Sequence, residues 1–201
     1  MNKKQQTIDV YNATAQEMTA KFAGIGARVE DILHAFSYVQ KDSPKVVEIG
    51  CGNGRDAREI LNHTSDYLGI DISSEIIRLA KEALPEVSSK FIVADVEGFE
   101  FPEGTDIIFS FASLLHTPRE KLQEVLQNML SALNPGGIVF ISLKYSDVYE
   151  ELTKTDEFGT RTYYYYCPQD ILDLGGKDYS WNKVEYQDLR GQKWFTIILG
   201  K

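Results

Sequence analysis

The residues able to do chemistry in this chain gather where apolar runs end in glycine or in a carboxylate. The segment Val46-Val47-Glu48-Ile49-Gly50-Cys51-Gly52-Asn53-Gly54-Arg55-Asp56 carries three alternating glycines between a strand-like run and a helix-like one. Glycine lets backbone approach a ligand closely and takes positive φ readily. A helix start just beyond it adds free N–H donors and a partial positive charge. The spacing is Gly-x-Gly-x-Gly, whereas the dinucleotide fingerprint Gly-x-Gly-x-x-Gly sets its last glycine one position later. Glu48 precedes the first glycine by two places, where a carboxylate repels a pyrophosphate and suits a ligand carrying a cation. Asp71 ends the next apolar run at 71 − 50 = 21 positions from Gly50, close to the roughly 20 at which an acidic group accepts ribose hydroxyls. Asp95 ends a third run, beside the place an adenine would take.

Other candidates follow. His116 is the titratable histidine nearest the end of the fourth apolar run; it reads as a general base, as a ligand contact, or as a structural group. Tyr11 reads either as a residue that closes over the ligand or as a core tyrosine. Tyr163-Tyr164-Tyr165-Tyr166 alternates like a strand, which sends two rings inward and two outward. It forms an edge strand of a lid or an aromatic wall of a pocket. Lys144 and Tyr145 are placed to reach the same cavity, and Trp194 to pack in the last strand. Asp71 also reads as a capping residue before Ser73, and Asp95 as a turn residue.

The elements that must hold these groups are legible from periodicity. One helix is predicted over Thr7 to Phe22, with Tyr11, Ala15, Met18 and Phe22 on a face. After Gly24-x-Gly26 a second runs through Val29, Ile32, Leu33, Phe36 and Val39, and Asp42-Ser43-Pro44 ends it. Strands are predicted over residues 45–50, 67–71, 91–95 and 106–111. A helix from Arg55 to Leu61 follows the first, and one capped by Ser73 and running to about Leu84 follows the second. Thr117-Pro118-Arg119-Glu120 reads as an N-cap, a proline in the first turn and a capping-box Glu. Asn134-Pro135-Gly136-Gly137 stops that helix and turns into a strand from Ile138 to Leu143. A polar, tyrosine-rich excursion leads to Cys167, then a short helix from Pro168 to about Leu174. Strands over Lys183–Leu189 and Trp194–Leu199 flank Arg190-Gly191-Gln192 as a hairpin. The alternation predicts an α/β fold with a doubly wound, mostly parallel, seven-stranded sheet that ends in a C-terminal antiparallel hairpin. Ligands of such sheets lie beyond the carboxyl ends of the strands, where strand order reverses.

Composition limits the partners. The 201 residues carry 21 Lys and Arg against 30 Asp and Glu, a net charge of −9. Nucleic-acid and anionic-membrane binding rest on clustered Lys and Arg, so neither DNA, RNA nor membrane is an expected partner. Two cysteines make neither a disulfide framework nor a Cys-rich zinc site. No apolar run approaches the roughly 20 residues of a membrane span. These features read as a cytoplasmic protein of one domain, residues 1–201, working as monomer or homodimer on a small molecule.

The motif Glu-x-Gly-x-Gly-x-Gly, the acidic end of the second strand, Asp95 after the third and Leu133-Asn-Pro-Gly-Gly137 before the fifth resemble the class I S-adenosylmethionine-dependent methyltransferases (Rossmann-like fold). The resemblance runs from about Thr7 to Lys201. Tyr11-Asn12, the run Ala112 to Arg119, Leu143-Lys144-Tyr145 and Gln192-Lys193-Trp194 resemble more narrowly the small bacterial tellurite-resistance-like methyltransferases. The resemblance implies S-adenosyl-L-methionine as cofactor and S-adenosyl-L-homocysteine as product. It implies that Gly50, Cys51, Gly52, Gly54 and Arg55 form the cofactor loop, with Glu48 orienting it or approaching the methionine amino group. Asp71 and Ile72 would hold the ribose, Asp95 and Val96 the adenine, and Phe111, Ala112 or Ser113 the methionine part. No metal is called for. The N-terminal helices (residues 1–42) would cover the site and residues 144–167 form a lid-like insertion. Phe109-Ser-Phe-Ala112 lacks the Asn/Asp-Pro-Pro-aromatic motif of enzymes acting on planar amide or base nitrogens. Two other readings remain open: a cofactor-binding regulator without turnover, and an NAD-dependent oxidoreductase, against which the glycine spacing counts.

Overall fold

The structure, a computed structural model, describes residues 2–189 and 191–201. It opens with α1 (Lys3–Ala13), α2 (Ala15–Phe22), a 3-10 turn over Ala23–Ile25 and α3 (Val29–Ser37). There follow β1 (Val46–Ile49), α4 (Ala57–Ile60), β2 (Tyr67–Asp71), α5 (Ser74–Ala83), β3 (Phe91–Val93), β4 (Thr105–Phe111), α6 (Arg119–Ala132) and β5 (Leu133–Lys144). The chain then forms β6 (Glu150–Asp156), β7 (Gly159–Tyr165), α7 (Pro168–Gly175), β8 (Trp181–Leu189) and β9 (Gln192–Gly200). The main sheet has seven strands in the order β3-β2-β1-β4-β5-β9-β8. Strands β1 to β5 run parallel, and β9 pairs antiparallel with both β5 and β8. Strand order reverses between β1 and β4, as the doubly wound reading requires.

Both faces of the central strands are covered, which explains their unbroken apolar runs. Ile108 and Ile141 face Leu122, Val125 and Met129 of α6. Ile107, Phe109 and Phe140 lie on the other face, with Ile32 and Ala35 of α3 and Ile77 of α5.

Several local expectations change. The single helix over Thr7 to Phe22 is two. Thr14 leaves helical geometry (φ −118°, ψ 18°), and its hydroxyl donates to the Val10 carbonyl at 2.7 Å. The helix from Arg55 shortens because Asp56 is its cap. Ser73 caps α5 as expected, its hydroxyl accepting from Ile76 N at 3.2 Å. Pro118, not Thr117, is the N-cap of α6: its extended backbone (ψ 157°) starts the helix at Arg119. The Pro118 carbonyl accepts from Leu122 N at 2.8 Å, and no capping-box bond forms. The turn Asn134–Gly137 does not stand outside the sheet. Strand β5 begins at Leu133, opposite Thr105, with a register shift before Ile107 meets Ile138. The Asn134 amide bridges this bulge, donating to the Gly104 carbonyl at 2.8 Å and to Asp106 Oδ1 at 2.7 Å.

The excursion after Lys144 is a two-stranded ribbon, β6 paired with β7, folded against α1. All four tyrosines 163–166 are buried, not two of four. Alternation holds, but both faces are covered. Tyr163 and Tyr165 lie under Lys144, while Tyr164 and Tyr166 pack against Tyr149. The hairpin β8–β9 matches its expected strands, although Arg190 of its turn lies outside the described residues. Among the described residues no helix is long and apolar enough to cross a membrane.

Asn134→Ala should cost about 1–3 kcal/mol, since it leaves Asp106 and the Gly104 carbonyl short of a donor. A urea titration with unchanged slope checks it; Asn134→Asp, which sets a second carboxylate against Asp106, should cost more.

Candidate functional site

The glycine loop leaves β1 with Gly50, Gly52 and Gly54 all at positive φ (68°, 57° and 81°). Gly50 is forced by proximity as well. A Cβ there would fall 2.3 Å from Ser113 Oγ, so loop and post-β4 turn interlock only through bare backbone. Gly54 answers to packing instead: a Cβ would meet Leu84 Cδ1 at 2.9 Å. Ala112, next to Ser113, is the one non-glycine residue with positive φ (55°) among the described residues. It is held there by its N–H, which donates to the Ser142 carbonyl at 3.0 Å. Such strain is retained where the surroundings over-determine it.

The ends of β1, β2, β3 and β4 open into one cavity of about 280 Å³. Gly50, Cys51, Gly52 and Arg55 line it from the first loop. Asp71 and Ile72 line it from β2, Asp95 and Val96 from beyond β3, and Phe111, Ala112, Ser113 and His116 from beyond β4. Helix α1 contributes Lys4, Thr7 and Tyr11, and α2 contributes Met18, Thr19 and Phe22. Helices α1 and α2 thus wall this cavity, whereas α3 contributes no lining residue.

The Asp71 carboxylate is fixed by two amides: Oδ2 accepts from Gly52 N at 3.2 Å and Oδ1 from Ser73 N at 2.9 Å. Burial pushes its pKa up and these amides oppose the rise. Asp95 Oδ1 accepts from Glu97 N, and the Lys4 ammonium lies 2.5 Å from Asp95 and 2.9 Å from Glu97. Asn12, at the end of α1, accepts from Ser73 Oγ at 2.7 Å and ties the covering helix to β2's exit.

Two of the expected cofactor-loop residues do not reach the cavity. Glu48 is buried beneath the loop, where the Tyr67 hydroxyl donates to Oε2 at 2.5 Å. Burial, reinforced by Asp56, pushes its pKa up to about 8. It therefore supports the loop and does not meet a ligand's amino group. Gly54 lies on the core side of the turn. Cys51 is buried and its thiol is held well above the ordinary range, chiefly by desolvation, so it stays protonated. Lys144, Tyr145, Tyr163 to Tyr166 and Trp194 stand outside the cavity lining. The tyrosines form a second layer behind His116, with the Tyr163 ring 4.8 Å from the imidazole.

His116 is fully engaged. Nδ1 lies 2.7 Å from the Thr162 carbonyl, which only accepts, so Nδ1 carries the hydrogen. Nε2 then accepts from the Tyr11 hydroxyl at 2.8 Å. Desolvation lowers the imidazole pKa to about 4, leaving it neutral with both nitrogens occupied. The Arg161 guanidinium stacks 5.4 Å over the Tyr11 ring and pairs with Asp156. Thr162 and Arg161 carry no local signal in the sequence, because only the folding of β7 onto α1 brings them here. Among the described residues no cluster of His, Cys, Asp or Glu is placed to hold a metal.

Residues 46–137 match a family model described as a methyltransferase domain. The chain is 29% identical over 157 residues to a malonyl-[acyl-carrier protein] O-methyltransferase of Ilyobacter polytropus, covering 77% of this chain and 56% of that one. It spans about half the length of the curated relatives it matches. Among solved structures, the complex of DhpI with SAH superposes with a TM-score of 0.70 at 17% identity, covering 98% and 97% of the two chains. A TehB-like SAM-dependent methyltransferase from Corynebacterium glutamicum gives 0.66 at 16% identity, covering 96% and 99%. The fold is that of the class I methyltransferases.

Glu48 binds a proton in the folded state that the unfolded chain releases near pH 4.5. Its stabilising contribution is complete below that pH and is lost as pH rises through about 8. Glu48→Gln keeps an acceptor for Tyr67 and cannot ionise. The variant should gain on the parent by at most about 1.4 kcal/mol per pH unit across this window, then level off, in denaturation titrations from pH 5 to 9.

Proposed function

We propose that this protein, whose residues 46–137 match a family model described as a methyltransferase domain, is a class I S-adenosylmethionine-dependent methyltransferase that transfers a methyl group from that cofactor to a small molecule. The observation that carries the reading is the convergence of four strand ends on one cavity, with an amide-held carboxylate at Asp71 and bare glycine backbone opposite the Ala112–Ser113 turn.

Bound there, S-adenosylmethionine supplies a methyl group already activated on a sulfonium. Asp71, whose oxygens each hold one amide, has lone pairs left to accept the two ribose hydroxyls. Asp95 and Val96 would border the adenine, with Lys4 fixing the Asp95 carboxylate from α1. Gly50, Cys51 and Gly52 would hold the methionine part with Phe111 and Ala112, and Arg55 is held at the loop by Asp56. Helices α1 and α2 exclude water above. Tyr11 and His116 orient one another at the methyl-transfer end. The protein's task is then alignment of an acceptor lone pair with the methyl carbon, an effect that supplies up to roughly 7–11 kcal/mol in model systems.

The cavity lining runs on to His116 and Thr117, beyond the residues proposed to hold the cofactor, which supports turnover over a regulator that only binds cofactor. The net charge of −9 favours a small acceptor over nucleic acid.

Isothermal titration should show binding of S-adenosylmethionine and S-adenosylhomocysteine and none of NAD. Asp71→Ala should weaken both by roughly 10- to 100-fold, as expected for losing hydrogen bonds to a charged group. Binding of NAD alone, or undiminished affinity in the variant, would overturn the reading.

A further inference from the structure

Helix α1 walls the cavity, yet little apolar burial holds it. Of its eleven residues only Thr7 is buried. Its attachment therefore leans on a few polar contacts: Thr7 with Thr162 N, Asn12 with Ser73, Lys4 with Asp95 and Glu97, and Tyr11 with His116. The last differs in kind, because its acceptor is a base whose ordinary pKa lies near neutral pH.

The surroundings of His116 suit one protonation state. Nδ1 donates to the Thr162 carbonyl at 2.7 Å, so Nε2 must stay bare to accept from the Tyr11 hydroxyl at 2.8 Å. From β7, Arg161 stacks 5.4 Å over the Tyr11 ring and 5.6 Å over the Tyr163 ring, and Tyr163 packs against the imidazole. From β5, Lys144 lies 4.6 Å from the same Tyr163 ring. Burial above all, with Arg161 and Lys144 adding to it, disfavours the charged imidazole, while the Thr162 carbonyl opposes them. The nearby carboxylates are engaged elsewhere: Asp156 of β6 pairs with Arg161, and Asp71 of β2 holds two amides. A proton on Nε2 would turn that nitrogen into a donor, and the Tyr11 hydroxyl would lose the atom it donates to. Arg161 offers no replacement, since a guanidinium only donates. Turning the hydroxyl round to accept restores one bond but leaves a positive charge beside two cations and short of water. Lifting α1 relieves the strain, because water then reaches the imidazole.

We infer that His116 is a positioning residue whose neutral form latches α1 over the cavity through Tyr11, and whose protonation releases this cover so that cofactor and product exchange. The release of α1 stands on the contacts alone; its use in exchange rests on the methyltransferase reading above. The open form takes its proton near the ordinary histidine value of 6.5, the closed form near 4. The latch is therefore at full strength above pH 6.5, and it weakens by up to about tenfold per pH unit as pH falls towards 4.

The test uses the full-length protein, with S-adenosylhomocysteine as the probe. Hydrogen exchange of the α1 amides, corrected for its intrinsic pH dependence, reports opening. Stopped-flow release of bound S-adenosylhomocysteine reports exchange. Both should rise by roughly 10- to 30-fold between pH 7.5 and 5.0. His116→Gln cannot ionise and keeps an acceptor for Tyr11; its two rates should stay within about 2-fold over that range. It retains the Lys3 and Lys4 ion pairs and Asp71, so an acid response that survives in it belongs to those groups. Tyr11→Phe removes the latch's donor and keeps its ring; α1 should then open about 2- to 10-fold more at pH 7.5. Binding of S-adenosylhomocysteine at pH 7.5 shows that each variant is folded, and the Tyr11→Phe arm stands without His116→Gln. Exchange of α1 that ignores pH in the parent, an equal acid response in His116→Gln, or unchanged opening in Tyr11→Phe overturns the latch. Acid opening of α1 without faster release of S-adenosylhomocysteine overturns its role in exchange. Failure of the parent to bind S-adenosylhomocysteine strikes the methyltransferase reading instead and leaves α1 exchange to judge the latch.

Discussion

The near-contact of two backbone segments, Gly50 after β1 and Ser113 after β4, governs the rest of the site. The sheet splits its connections between β1 and β4, and that split opens the crevice. A side chain on Gly50 would fill it, since its Cβ would overlap Ser113 Oγ and Cβ at 2.3 and 2.4 Å. On the other side Ala112 takes positive φ so that the chain can turn away from β4 and present the run to His116. The loop conformation is in turn buttressed from beneath. Tyr67 and Glu48 share a short hydrogen bond in a place too dry for a free carboxylate, which is why Glu48 favours its protonated form.

The cover over this crevice is composite. Helix α1 binds to the ribbon β6–β7 through Thr7, whose hydroxyl accepts from Thr162 N at 3.2 Å, and through Val10 packed against Gly159. Lys3 pairs with Glu151 and Lys21 with Glu157 at its rim. Those exposed pairs contribute at most about 1 kcal/mol each, so burial of the tyrosine layer and the α1 contacts carries the attachment. One consequence is chemical. The same β7 segment that anchors α1 offers the Thr162 carbonyl to His116, while α1 offers Tyr11 to its other nitrogen. Cover and histidine are set by a single packing event.

Charge follows a similar economy. The chain carries nine more acidic than basic residues, yet the cations around the cavity are mostly tethered to named carboxylates. Arg28, outside the cavity lining, is itself held by Asp31, Ser142 Oγ and the Phe111 ring.

The glycine spacing, Asp71 at the end of β2, Asp95 after β3 and the strand–helix alternation could all be read from the sequence. Each is a local rule: period, turn residue, or carboxylate at a strand end. Local rules misplaced what depends on distant neighbours. Glu48 looked like a ligand-facing acid because nothing nearby in sequence reveals that Tyr67 lies over it. The tyrosine run looked half exposed because alternation gives two faces and cannot say that both are covered. Thr117 looked like a cap, although Pro118 starts the helix and the Thr117 carbonyl is taken by Tyr166 from 49 residues away. The sequence by itself determined the sheet and the edge at which the cavity opens, because apolar periodicity and glycine placement act within a few residues. Only the tertiary structure decided the protonation and occupancy of His116. Those depend on which carbonyl and which phenol arrive from β7 and α1, and on the water their packing removes.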